Sequence, residues 1–243
     1  MLKLSYDLHI HSCLSPCGDD DMTPANIVGM AALKNLDVIA VTDHNSCRNC
    51  PAVLTLAGQQ NIIAIAGMEL CTVEEVHVLC LFSCLEDALE FDAYVYSKLI
   101  KIQNKEEIFG KQQMYDAEDR IVATEPYLLI NAAAIAFDEL EDLLREFHGI
   151  YIPAHIDKSS NSLLSNLGFI PPDSKFRCAE IKNINKSEEI IRNNPYLTGC
   201  NIITNSDAHA LGLINEPVNF FDTRSRDIKD ILEAINSLKQ SRK

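Results

Sequence analysis

Two histidines near the start of the chain, in Asp7-Leu8-His9-Ile10-His11-Ser12, are the first residues whose types and spacing suggest chemistry. On a strand, alternate side chains face the same way, so His9 and His11 project together from a rigid support. Two imidazoles held in that way make half of a metal site. The plainer alternative is a chance pair with one ring buried and hydrogen-bonded. Histidines and carboxylates then recur at short spacing: Asp43-His44, Glu69 before His77, His155, and Asp207-Ala208-His209.

Of the seven histidines, only His148 falls away from a predicted strand. It lies in a helix C-terminal turn, which suits a cap or a surface residue. Five or six histidines with several carboxylates, and no cysteine in the repeating pattern, suit Zn, Mn or Fe(II). That many ligands exceeds the need of one ion. Two or three ions sharing a bridging carboxylate are therefore expected. Clustered ions make hydroxide from water near neutral pH and neutralise a phosphoryl group in flight, so the expected chemistry is phosphoester cleavage.

These side chains need a scaffold, and the hydrophobic pattern supplies one. Strands are expected over 6–11, 37–42, 62–66 and 76–82, with His77 on the last. Thr23-Pro24 opens one helix, Thr as N-cap and Pro at the first position, and Pro51 starts a second. The β-α-β-α-β order with short links predicts a parallel sheet covered by helices. Residues 85–147 read as a mainly helical insert or lid, with segments near 86–102, 112–121 and 139–147. Strands resume over 150–155, 176–181, 201–204 and 218–221. A closing helix over 227–239 carries Ile228, Ile231, Leu232, Ile235 and Leu238 on one face. His44, Glu69, His155, Asp207 and His209 all fall at C-terminal ends of strands, where α/β folds collect their chemistry.

The chain has 243 residues, 47% of them hydrophobic, enough for one large domain spanning 1–243. Its formal net charge is -14, and only the Ser241-Arg242-Lys243 tail is basic. Such a surface disfavours long nucleic acid and favours a small phosphorylated substrate. With the motif starting at Asp7, no signal peptide is expected. No apolar run reaches the roughly 20 residues of a membrane span. Nine cysteines without a secretory signal read as reduced thiols of a cytoplasmic protein. Cys13, Cys17, Cys47, Cys50 and Cys71 follow metal-motif positions, which predicts that they surround the mouth of the site. Cys47-Arg48-Asn49-Cys50 has CxxC spacing, open to three readings: plain free thiols, a redox-sensitive gate or an extra soft-metal site.

Taken in order, Asp7-Leu8-His9-Ile10-His11-Ser12, Thr42-Asp43-His44, Gly67-Met68-Glu69, Val76-His77-Val78, Pro153-Ala154-His155 and Ser206-Asp207-Ala208-His209 resemble the motifs of the PHP (polymerase and histidinol phosphatase) family. The match runs from residue 5 to about 210. Any one motif is weak, but six in order at strands are specific. The opening stretch resembles the small stand-alone bacterial phosphoesterases, some of which act on nucleoside monophosphates or nucleotide bisphosphates. The resemblance implies a distorted (β/α)7 TIM-like barrel with a trinuclear metal centre. It places His9, His11, Glu69 and Asp207 on a first ion. Glu69 bridges to a second ion held by His77 and His155, and His44 and His209 hold a third. The remaining ligand of the third ion comes from the loop after His11, where the family uses His or Asp. This chain offers Asp19, Asp20 and Asp21 there, and the family's usual spacing back from the helix start at Thr23-Pro24 implies Asp19, with Asp20 next.

On this reading a hydroxide bridging the first two ions attacks phosphorus in line, and His9, His11, Glu69, His155 and Asp207 are the catalytic set. Asp43 orients its neighbours. Lys158 and Ser159, in the loop after His155, are candidate substrate contacts, and a solvated loop lysine is the alternative. Glu69 also admits a plainer role as a helix N-cap carboxylate. The expected function is metal-dependent hydrolysis of a small phosphoester, a nucleotide in the first instance. The rivals are a histidinol-phosphate phosphatase, an oligonucleotide-trimming nuclease and a non-catalytic metal-binding sensor module.

Overall fold

The structure is a computed structural model that describes residues 1–237. In chain order its elements are β1 (Leu2–Ile10), α1 (Pro24–Leu33), β2 (Val38–Val41), α2 (Cys50–Gln59), β3 (Ile63–Cys71) and β4 (His77–Phe82). There follow α3 (Leu85–Lys98), α4 (Glu106–Phe109), β5 (Gln113–Tyr115), β6 (Ile121–Thr124), α5 (Leu140–Glu146) and β7 (Gly149–Pro153). The chain continues with α6 (Leu163–Asn166), β8 (Cys178–Glu180), α7 (Ser187–Asn193), β9 (Asn201–Ile203), β10 (Phe220–Thr223) and α8 (Ile228–Ile235). Helix α1 starts as its sequence predicts: the Thr23 hydroxyl accepts from the Asn26 N–H at 3.3 Å and Pro24 takes the first turn. Such a cap contributes about 1 kcal/mol. The closing helix is described as far as Ile235; Leu238, Lys239 and the Ser241-Arg242-Lys243 tail lie outside the described residues.

One six-stranded sheet runs in the order β10-β1-β2-β3-β4-β7. Strands β1, β2 and β3 are parallel, while β4 runs antiparallel to both β3 and β7. A parallel return needs a crossover of a dozen or more residues. Residues 72–76 instead make a tight turn, with the Thr72 N–H donating to Val76 O at 3.0 Å and the Glu75 N–H to Thr72 O at 2.8 Å. Close approach of the two strands needs a glycine: a Cβ on Gly67 would stand 2.7 Å from Cys80 O and from Leu81 Cδ2. Strands β8 and β9 pair in parallel. Two hydrogen bonds carry the curl onward: the Ile156 N–H donates to Glu180 O, and the His11 N–H to Ala208 O, each at 2.9 Å. Strands β1, β2, β3, β4, β7, β8 and β9 therefore curl into a TIM-like α/β fold, distorted by the reversed β4.

Leu8, Val38, Ala40, Ile65, Leu79, Ile152 and Ile203 fill the interior, and Ile231, Leu232 and Ile235 of α8 join that cluster. Helices α1 and α2 cover β1 and β2 through Ile27, Val28, Ala31, Val53 and Ala57. Phe91 and Val95 of α3 and Leu144 of α5 pack beside Val78, Cys80 and Phe82 of β4. Within the insert, helix is present near 86–102 and 139–147 but not over 112–121, where β5 and β6 form an antiparallel hairpin. The reason is local. The Asp116 carboxylate accepts from the Glu118 and Arg120 N–H groups and fixes a turn, and the β-branched Ile121, Val122 and Thr124 favour strand. Among the described residues no helix is long and apolar enough to cross a membrane.

Candidate metal centre

Five histidines converge on one carboxylate. Glu69 Oε1 lies 2.9 Å from His77 Nδ1, 3.1 Å from His155 Nε2 and 3.2 Å from His9 Nε2. Glu69 Oε2 lies 3.0 Å from His44 Nδ1 and 3.3 Å from His11 Nε2. Asp207 Oδ1 stands 3.5 Å from His11 Nε2, 3.6 Å from His9 Nε2 and 3.7 Å from His209 Nδ1. The His209 ring stacks on that of His11 with centroids 4.2 Å apart.

Backbone geometry explains the convergence. His9 and His11 share a face at the end of β1. Glu69 pairs with Leu79 and Cys71 with His77, so Glu69 and His77 are diagonal neighbours on one face of the β3–β4 hairpin. Because β4 is reversed, its first residue reaches the same end of the sheet as the last residues of the parallel strands. His44, His155 and Asp207 follow β2, β7 and β9 in sharp bends. Asn45, His155 and Asp207 have φ of 48°, 30° and 54°, the left-handed region that non-glycine residues rarely adopt.

Three buried carboxylates hold the ligand carriers. Glu180 accepts from His9 Nδ1 at 3.0 Å, from the His155 N–H at 2.8 Å and from Asn205 Nδ2 at 2.8 Å. Asp43 accepts from the Ser12 N–H at 2.7 Å and from the Ser12 and Ser15 hydroxyls at 2.6 Å each. The Ser15 hydroxyl oxygen in turn receives His11 Nδ1 at 2.9 Å. Asp7 accepts from the Ser206 and Asn215 N–H groups at 3.0 and 2.9 Å and ties down the loop that carries Asp207 and His209. With Nδ1 of His9 and His11 engaged, their Nε2 atoms face each other at 3.2 Å and are the ring atoms left to ligate. Metal-bound histidines are oriented in this way.

The electrostatics run in the same direction. Burial alone would raise the pKa of Glu69, yet the charges of His77 and His9 hold its carboxyl well below the usual range. Burial works against charge on His77, but Glu69 outweighs it and lifts the ring to about 10. His9 is likewise penalised by burial and raised well above its ordinary value by Glu180 and Glu69. Burial lowers His44 to about 3, keeping it neutral. Asp207 is held far down, against its burial, by the hydrogen bond from His11 and the charge of His9. Glu69 Oε2 and His44 Nδ1 are 3.0 Å apart yet lack hydrogen-bond alignment, and both are buried without a hydrogen-bond partner among the described residues, as is His155 Nδ1. Unpartnered buried polar atoms are costly, whereas two donors aimed at one cation are satisfied. Three sets of candidate ligand atoms lie within 4.8 Å of one another: His9, His11 and Glu69; His44, Glu69 and His77; and His11, Cys17, His44 and His209. Their nitrogen and oxygen donors fit Zn, Mn or Fe(II).

The structure thus brings together His9, His11, His44, Glu69, His77, His155, Asp207 and His209. Asp19 is exposed and belongs to none of the three sets; its backbone N–H donates to His209 O at 2.9 Å. Asp20 stands 3.8 Å from Lys111 Nζ. Lys158 Nζ donates to Asp207 Oδ2 at 3.0 Å, and Ser159 is exposed on the same loop. Asp43 orients, as its sequence setting suggests. His148 is exposed beside Asp87. Cys47 and Cys50 are buried with Sγ donating to Gly67 O at 3.3 and 3.5 Å, and Cys13 and Cys71 are buried too, so of these five cysteines only Cys17 is exposed. Sequence reasoning passes over Glu180 and Lys182, and it sets Cys17 at the mouth of the site without making it a ligand. A single carboxylate at the end of the buried run Cys178-Ala179-Glu180 was the available signal for the first. Lys182 donates to Ser206 O and reaches Asp207 Oδ2 at 3.7 Å; nothing in its local sequence marks it.

A family model described as the PHP domain matches residues 7–158. A curated, uncharacterised protein of Methanocaldococcus jannaschii is 33% identical over 76 residues, which cover 28% of this chain and 44% of that protein. The lesion-specific endonuclease Q of Pyrococcus furiosus superposes with a TM-score of 0.66 at 18% identity, over 98% of this chain and 58% of its own. A candidate metal-dependent phosphoesterase of Bifidobacterium adolescentis gives 0.62 at 16% identity, over 93% of this chain and 95% of its own. At such identities the two structures establish the fold. The chain spans less than half of the curated relative and little more than half of the endonuclease.

Proposed function

The chain belongs to the PHP domain family, and from that premise we propose that it is a metal-dependent phosphoesterase hydrolysing a small phosphorylated molecule, a nucleotide in the first instance. The observation that carries this reading is the single buried Glu69 carboxylate ringed by five imidazole nitrogens at 2.9–3.3 Å. His9, His11, Glu69 and Asp207 would hold one divalent ion, and Glu69, His77 and His155 a second. His44 and His209 would serve a third. Bound ions of this kind supply hydroxide near neutral pH and neutralise charge on the phosphoryl group.

The chain's own residues do the rest. Glu180 and Ser15 keep the Nδ1 protons of His9 and His11 in place. Lys158 and Lys182 converge on Asp207 Oδ2 and are poised to meet phosphate oxygens as point charges. A cavity of about 390 Å³ opens beside Lys158, lined also by Ile156, Leu164 and Ile190, and its size suits the leaving portion of a small substrate. The net charge of -14 supports the same choice.

A nuclease is the second reading, favoured by the fold shared with an endonuclease over 98% of the chain. The test is hydrolysis by the full chain, chelated and then given Zn, Mn or Fe(II). The panel contains nucleoside monophosphates and bisphosphates, histidinol phosphate, short oligonucleotides and a duplex with an abasic site. Turnover of nucleotides with weak salt dependence is expected. Turnover of DNA with a steep salt slope would instead select the nuclease. Full metal binding with no turnover of any ester would overturn the enzyme reading in favour of a sensor module.

A further inference from the structure

We propose that Cys17, not Asp19 or Asp20, completes a third ion site with His44 and His209, giving the centre a thiolate ligand. The inference rests on the metal-centre reading above and goes beyond it in naming a soft donor. Cys17 is exposed as a residue, yet its Sγ lies within 4.8 Å of ring nitrogens of His11, His44 and His209, all four ligand atoms being mutually that close. A tetrahedral zinc site with sulfur at about 2.3 Å and nitrogens at about 2.0–2.1 Å has ligand–ligand edges of roughly 3.3–3.6 Å. With His11 assigned to the first ion, Cys17, His44 and His209 would supply three of the four positions, and their ligand atoms would contract by at most about 1.5 Å to close on one ion. His44 itself is a ring in want of an ion: its Nδ1 is buried beside Glu69 Oε2 without a hydrogen-bond partner among the described residues, and the ring also belongs to the set that includes Cys17.

The loop is built to hold the thiol there. The Ser15 N–H donates to Ser12 O and the Gly18 N–H to Ser15 O, both at 3.0 Å, two successive tight turns of which the second has Pro16-Cys17 at its centre. A Cβ on Gly18 would stand 2.4 Å from Ser12 O, so only glycine lets the chain fold back that closely. The Cys13 N–H donates to Met22 O at 2.8 Å and closes the loop's base, while the Asp19 N–H to His209 O bond fastens it to the partner histidine's own backbone. With Asp19 committed through its backbone and its side chain at the surface, Cys17 is the loop residue that faces the histidines. A thiolate among imidazoles favours zinc or iron over manganese or magnesium. On binding, the ion displaces the thiol proton to solvent and one metal–sulfur bond forms.

The full chain is chelated, reloaded with Co(II) in place of zinc, and followed by metal content and near-ultraviolet absorption alongside C17S, C17A and D19N. A sulfur-to-cobalt charge-transfer band is expected in wild type and D19N. It is expected to vanish in both Cys17 variants, with loss of one ion per chain. Independently of any variant folding, bound zinc is expected to shield Cys17 from iodoacetamide in the wild type, as read by peptide mass, while the half-buried Cys84 stays equally reactive with and without zinc. Two or more ions with no thiolate band and no shielding overturn Cys17 as a ligand but leave the phosphoesterase reading standing. Retention of the band in C17S and C17A, or loss of the ion in D19N alone, likewise overturns it. A chain that binds no ion overturns both.

Discussion

Replacing Glu180 by Gln tests whether the centre depends on a residue that touches no ion. Three donors converge on this carboxylate: His9 Nδ1, the His155 N–H and Asn205 Nδ2, at 3.0, 2.8 and 2.8 Å. A glutamine has nearly the same shape but one end that donates. With donors on every side, its NH2 must face one of them, so a hydrogen bond to a charged acceptor is lost and a donor–donor contact replaces it. That change costs about 1.5–3 kcal/mol. Loss of such an outer partner of a metal-bound histidine typically weakens the metal 10- to 100-fold, or about 1.4–2.7 kcal/mol at 1.36 kcal/mol per decade. The two routes give the same range, so the expected result is a drop of about 10- to 100-fold in affinity for the ion nearest His9. The assay is competitive zinc titration against a chromophoric chelator, paired with urea unfolding of both chelated proteins. Wild-type affinity in the variant would refute the reasoning. If unfolding were then also destabilised, Glu180 would be a structural hydrogen-bond acceptor and no more.

Other substitutions probe the rest of the centre. Glu69→Gln removes the charge shared by five histidines and is expected to lose more than one ion per chain by metal analysis. In the chelated protein, breaking that buried set is expected to cost about 3–5 kcal/mol in urea unfolding. Gly18→Ala forces Ser12 O away from a Cβ placed at 2.4 Å and is expected to destabilise by about 1–3 kcal/mol, with loss of the third ion before the first two. Iodoacetamide on the native protein is expected to spare Cys47 and Cys50, which are buried against Gly67 O. Their double serine variant should be as oxidation-sensitive as wild type, and a protected double variant would restore the gate reading.

The eight residues gathered around Glu69 are legible because each lies at or beside one end of an apolar run, and period and punctuation reveal strand ends even when their pairing does not. Pairing is what fails. A run of apolar residues over 76–82 reads the same whether it lies parallel or antiparallel, and only the shortness of 72–76 argues for reversal. His77 therefore looks out of place at the start of its strand until β4 is turned round. The hairpin at β5–β6 fails for a related reason: polar residues with scattered apolar ones over 112–121 mimic an amphipathic helix. The Asp116 side-chain bonds that decide otherwise are tertiary only in effect, local in origin. Glu180 escapes notice because nothing near it in sequence repeats the histidine motifs. Cys17 escapes because a strict expectation of oxygen or nitrogen at that position looks past sulfur.

The centre also shows why so many polar groups can be buried in one place without the fold failing. Asp7, Asp43 and Glu180 are fully or nearly fully buried, and each accepts at least two hydrogen bonds from donors outside its own segment of the chain. They stitch β1 to the loops after β2, β7 and β9, so a cluster that would repel as bare charges is held as a lattice of donors and acceptors. His155 and Asp207 are kept in left-handed backbone by the same stitches, at a cost of order 1–3 kcal/mol each. Neither position could be relaxed without swinging the His155 imidazole off Glu69 or the Asp207 carboxylate off His9 and His11. Glu69 itself has no comparable set of donors: its Oε2 is without a hydrogen-bond partner among the described residues, and the His77 ring beside its Oε1 is raised by its charge. The outer carboxylates are satisfied by protein, whereas the inner one faces imidazole nitrogens on every side, an arrangement that fits a metal centre.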